Sequence, residues 1–113
     1  MNGRPLRGLN AWIVQRLGAL YLLAFLGWAV VALGLEAPAD VHAWRAWLAR
    51  PGNGVAVALF WLALLAHAWV GLRDVILDYV HPLALRALAL ALAAGGLLAA
   101  GLWAARILWG LAA

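Results

Sequence analysis

Three long apolar runs dominate the chain, and each ends at residues suited to water or to a turn. Leu17 to Leu35 carries no charge, with Arg16 just ahead of it. Val55 to Leu72 is interrupted only by His67, and Ala87 to Ala105 continues past Arg106 through Ile107 to Ala113. A helix that crosses a bilayer needs about 20 mostly apolar residues, so the pattern predicts spans over about 12–35, 55–78 and 83–110. Glu36, Pro38 and Asp40 close the first run, and Pro51, Gly52, Asn53 and Gly54 read as the turn ahead of the second. Pro82 restarts the chain for the third helix, after His81, which its position before proline biases away from helix. Between the first two runs, Val41 to Leu48 contains Trp44 and Trp47 and reads as a short helix lying at the membrane interface. No repeat or low-complexity linker divides the chain, so residues 1–113 read as one domain.

Composition turns this pattern into a choice of solvent. Of 113 residues, 69% are hydrophobic and 11% charged, too little polar surface to cover a soluble domain of this size. The absence of cysteine excludes disulfides, Cys-ligated zinc and iron–sulfur ligation within the chain. The formal charge of +4 comes from scattered arginines with no basic stripe, which argues against nucleic-acid binding. Eight tryptophans suit the headgroup layer, where an apolar ring with one polar N–H is at home.

The arginines also bear on orientation. Arg4, Arg7, Arg16, Arg73 and Arg86 flank one side, and Arg45 and Arg50 lie in the first loop, which favours a cytoplasmic N-terminus. The first apolar run is too long for a signal-peptide core and lacks a small-residue cleavage site, and no Arg/Ser-rich transit segment precedes it. The expectation is a retained first helix in a bacterial inner (cytoplasmic) membrane. The expected fold class is thus an all-α, multi-pass membrane protein with three transmembrane helices. Three helices enclose polar groups poorly, so they are expected to form part of a heteromeric helical bundle.

Within the spans a few polar residues require explanation. His67 lies deep in the second, and Phe60, Ala63, His67, Gly71, Asp74 and Asp78 fall near one helical stripe. A glycine one turn after an imidazole leaves clearance for a flat macrocycle held by that nitrogen. The competing reading is a buried histidine hydrogen-bonded to a neighbouring helix. Asp78 and Tyr79 follow at the end of this helix, roughly 18 Å along its axis from His67. An acceptor beside a phenolic donor suits an amphiphilic quinone at headgroup level, and equally suits an ordinary helix end in the aromatic belt. Arg16 calls for a carboxylate such as Asp74 or Asp78, or a haem propionate, unless it serves only as a topology charge. Gly27 and Gly34, and Gly96 with Ala100, are spaced to let helices approach closely, or simply reflect a chain rich in small residues. No phosphate-binding glycine loop and no nucleophile–base arrangement occurs, and no second axial histidine stands on a facing stripe.

The stretch His67-Ala68-Trp69-Val70-Gly71-Leu72-Arg73-Asp74-Val75-Ile76-Leu77-Asp78-Tyr79-Val80-His81 resembles the signature of the succinate dehydrogenase hydrophobic membrane anchor subunit. Trp12-Ile13-Val14-Gln15-Arg16-Leu17-Gly18-Ala19 is similar to the opening of that family's first helix, with Gly18 where relatives often carry a hydroxyl. The resemblance implies that His67 is the axial ligand to the iron of a b-type haem shared with the cytochrome b556 membrane subunit. Gly71 would give that haem clearance, and Arg16 would lie near its propionates. Tyr79 would hydrogen-bond a ubiquinone carbonyl, with Asp78 ordering the site. The flavoprotein and iron–sulfur subunits are the further partners implied, with membrane lipid around the bundle. Succinate chemistry would belong to those subunits and not to this chain. A fumarate reductase anchor has the same architecture, and a cofactor-free three-helix scaffold or assembly protein is the alternative from a different class.

Overall fold

The computed structural model describes residues 4–112, and side chains for residues 8–110. Four helices follow one another: α1 (Arg4–Leu35), α2 (Val41–Ala49), α3 (Pro51–Tyr79) and α4 (Leu83–Ala112). No strand occurs among the described residues. Gly8–Leu35, Pro51–Tyr79 and Leu83–Gly110 are each long and apolar enough to cross a membrane. In hydrocarbon every backbone N–H and C=O needs an internal partner, and a single helix supplies it without neighbours, so long apolar runs become helices. The chain is an all-α membrane protein with three candidate spans.

The short helix expected near Val41 is α2. Asp40 caps it in an extended conformation, its carboxylate accepting from the Ala43 N–H at 2.7 Å. Such a cap stabilises a helix start by about 1 kcal/mol. The second boundary departs from expectation. Pro51 to Gly54 do not form a turn ahead of the span but are the first turn of α3, and the junction narrows to Arg50, in extended backbone. Proline at the first helical position loses nothing, because its missing N–H would be unpaired there, and its fixed φ already suits the helix. The Gly54 N–H donates to the Arg50 carbonyl at 2.9 Å, and the Asn53 side-chain amide donates to the Trp47 carbonyl at 3.0 Å, tying α3 to α2.

Gly54 is required at this corner. A Cβ there would lie 2.9 Å from the Leu48 carbonyl oxygen, a backbone atom that cannot swing aside. Gly54→Ala is expected to destabilise the chain by about 1–3 kcal/mol, the usual range for overpacking. Gly101→Ala meets only the mobile Leu65 Cδ1, also at 2.9 Å, and is expected to cost less. Denaturation midpoints of the two variants in one detergent check the order; equal midpoints would mean that the α2–α3 corner yields freely.

Helix α3 is the centre of the fold. Both α1 and α4 pack on it, α2 touches α3 and α4, and α1 and α4 do not meet among the described residues. Against α1, the Tyr21 hydroxyl donates to the Ala56 carbonyl at 2.7 Å, and Phe25 stacks on Phe60 with centroids 4.5 Å apart. Trp28 stacks on Trp47 at 5.8 Å, which ties the C-terminal part of α1 to α2. Leu65 and Trp61 lie around the helix from Phe60 and face α4 across an apolar groove of about 940 Å³ shared with Leu97 and Leu108. The close approach of α3 to α4 is at Gly101, whereas a Cβ added at Gly27, Gly34 or Gly96 would meet nothing within 4 Å. The spacing of small residues on α1 and α4 thus does not mark the contacts inside this chain. Only Ala104, 7% exposed, is buried among the described residues. A row of three helices has almost no interior, and its broad apolar faces suit lipid or other membrane helices.

Candidate functional site

The stripe that faces α1 continues along α3 to the polar residues. Ala56 and Phe60 make the contacts to α1 described above, and helical spacing carries the same face through Ala63 to His67, Gly71, Asp74 and Asp78. His67 is half-buried, and its Nδ1 is shut off from the surroundings with no hydrogen-bond partner among the described residues. A buried polar nitrogen left unpaired costs about 1–3 kcal/mol. The reading in which His67 is tied by a hydrogen bond to a neighbouring helix is therefore not what the chain provides. One turn on, Gly71 is exposed, and a Cβ there would meet nothing within 4 Å. The imidazole thus stands beside open space on the α1-facing stripe.

Asp78 and Tyr79 sit at the C-terminal end of α3, both exposed, with Tyr79 at 77%. Neighbouring residues on a helix point about 100° apart, so the carboxylate continues the His67 stripe and the phenol turns away from it. Neither side chain is engaged in a hydrogen bond within the described residues, leaving an acceptor and a donor open at one helix end. Arg86 secures that end: its Nε donates to the Val80 carbonyl at 2.9 Å and its Nη2 to the Leu77 carbonyl at 3.0 Å. Sequence spacing identifies Arg86 only as a loop charge. Its role depends on α4 folding back so that the guanidinium reaches carbonyls that α3 leaves unpaired.

Arg16 is not brought to a carboxylate. Asp74 accepts instead from Arg73, its sequence neighbour, at 3.1 Å, an exposed pair that contributes little to stability. The Arg16 guanidinium lies over the Trp12 ring, 5.4 Å from its centroid, one turn back on α1. The Arg16 side chain is exposed, and its charge is otherwise unmatched among the described residues. His81 and His42 are exposed and hold no place in this arrangement.

A family model of succinate dehydrogenase/fumarate reductase transmembrane subunits matches residues 2–105. The chain belongs to that family. The succinate dehydrogenase/fumarate reductase match runs from the start of α1 well into α4, so Arg16, His67, Gly71, Asp78 and Tyr79 all lie within it. The chain is also similar to a succinate dehydrogenase hydrophobic membrane anchor subunit of Coxiella burnetii, 27% identical over 103 residues that cover 91% of this chain and 90% of the relative. For a transmembrane subunit of this family, the three apolar helices account for the membrane.

Proposed function

We propose that this chain is the membrane anchor subunit of a bacterial succinate dehydrogenase, and that residues 1–113 act as a single membrane-anchor domain with the N-terminus cytoplasmic. It would bind the flavoprotein and iron–sulfur subunits and pair in the inner membrane with a cytochrome b556 subunit. The observation that carries the redox part of the reading is His67: a half-buried imidazole on a spanning helix with no hydrogen-bond partner among the described residues, followed one turn on by the open position at Gly71. Such a donor set fits a b-type haem, with His67 as one axial ligand and the second from the partner membrane subunit, since a row of three helices cannot enclose the group alone. When bound, the haem supplies a one-electron centre tuned by its ligands and burial. Arg16 would offset the charge of the propionates, a use for its unmatched guanidinium.

Ubiquinone is the substrate at the other end of the stripe. The Tyr79 hydroxyl would donate to a quinone carbonyl that gains basicity as electrons arrive, so the bond strengthens on the way to product. Asp78 would order the site and accept or relay a proton near the water interface. Arg86, by binding the last carbonyls of α3, would hold both residues in position.

The test is to isolate the assembly through a tag on this chain, identify its subunits and record a reduced-minus-oxidised spectrum. Flavoprotein, iron–sulfur and second membrane subunits with a b-type haem signal are expected. A chain that purifies alone and colourless from active membranes would favour the cofactor-free scaffold. Subunits without haem but with full ubiquinone reduction would keep the anchor role and remove the ligand from His67.

A further inference from the structure

Arg45 on α2 and Arg106 on α4 are separated widely in sequence yet line one cavity of about 980 Å³, together with Leu102, Trp103 and Ile107. Among the described residues no carboxylate lines this cavity, and neither guanidinium, both on exposed residues, has an ion pair or hydrogen bond. Arg106 lies one turn from the C-terminal end of the third span, Leu83–Gly110, where a long side chain reaches the headgroup level. Two like charges facing the same apolar-walled space repel one another, and an anion between them removes that penalty. Guanidinium groups match phosphate oxygens in pairs. The cavity lies where the tryptophan-bearing α2 meets α4, and Trp103, 72% exposed, forms part of its wall. At that depth a phosphate attached to acyl chains is the anion at hand, its chains free to lie along Leu102 and Ile107. Helix α4 packs on a different face of α3 from the His67 stripe, so this site is separate from the redox residues.

We propose that Arg45 and Arg106 form a binding site for the headgroup of an anionic phospholipid, which ties α2 to α4. The experiment is native mass spectrometry of the full chain, purified from membranes with its accompanying subunits, delipidated and titrated with dioleoyl phosphatidylglycerol or dioleoyl phosphatidylcholine. The wild type is expected to bind one phosphatidylglycerol per chain at this site, at least about tenfold more tightly than phosphatidylcholine. In R45Q/R106Q that preference is expected to disappear, while R45K/R106K keeps most of it and R50Q leaves it unchanged. The lysine pair keeps the test readable if the glutamine pair fails to fold. Equal affinity of the wild type for both lipids would overturn the proposal, as would an undiminished preference in a folded R45Q/R106Q. Loss of an accompanying subunit from R45Q/R106Q with lipid binding intact would also overturn it, and would assign the arginines to a protein carboxylate.

Discussion

In His67→Leu the b-type haem signal of the assembled complex is expected to vanish or to shift, with haem per complex down by at least about tenfold, while the chain itself stays folded. Loss of groups that merely orient a metal ligand already costs 10–100-fold in affinity, so loss of the ligand sets the lower bound. The second half of the expectation comes from the orphaned Nδ1. Leucine is of similar size and carries no polar atom, so removing the unpaired nitrogen relieves a penalty of about 1–3 kcal/mol. Thermal stability measured without haem is therefore expected to be equal or higher in the variant, which separates ligand loss from misfolding. The decisive measurement is the axial-ligand signature in low-temperature absorption or paramagnetic resonance, because another nearby donor could retain some haem. An unchanged signature would reject His67 as the ligand.

Tyr79→Phe is expected to slow quinone reduction by at least about tenfold, the factor that corresponds to ~1.4 kcal/mol of transition-state stabilisation. Phenylalanine keeps the ring and removes only the donor. Tyr79 is exposed and has no hydrogen bond within the described residues, so the change to stability is expected to stay within about 0.5 kcal/mol. Succinate oxidation with an artificial acceptor upstream of the quinone is expected to be unaffected, since that chemistry belongs to the other subunits. Asp78→Asn is expected to impair quinone reduction as well, by disturbing proton supply or the order of the helix end that Arg86 maintains. Near-normal rates with both acceptors in the assembled Tyr79→Phe complex would make Tyr79 an interface aromatic and move the quinone site elsewhere.

Much of the architecture is legible in the order of residues because the membrane simplifies the problem. A run of about 20 apolar residues has one stable backbone solution in hydrocarbon, so the number of spans and the short helix between the first two follow from hydropathy and turn residues. Helical spacing likewise puts His67, Gly71 and Asp78 on one face whatever the helix packs against, because residues three and four apart share a side of any helix. What spacing leaves open is the use of each polar group. His67 could equally have been satisfied by a neighbouring helix, and Arg16 by Asp74; only the three-dimensional arrangement leaves the imidazole Nδ1 unpaired and gives Asp74 to Arg73.

Tertiary structure alone decided how the helices meet. It put α3 between α1 and α4, drew Pro51 to Gly54 into the helix, and made Gly101 the point of close approach in place of Gly27, Gly34 or Gly96. It brought Arg86 to the carbonyls of Leu77 and Val80, and set Arg45 and Arg106 around one cavity. The physical reason is that in a membrane the lipid-facing and helix-facing sides of a span are equally apolar. Periodicity therefore reveals that a segment is a spanning helix but not which side meets another helix, and that choice rests on side-chain fit between segments distant in sequence.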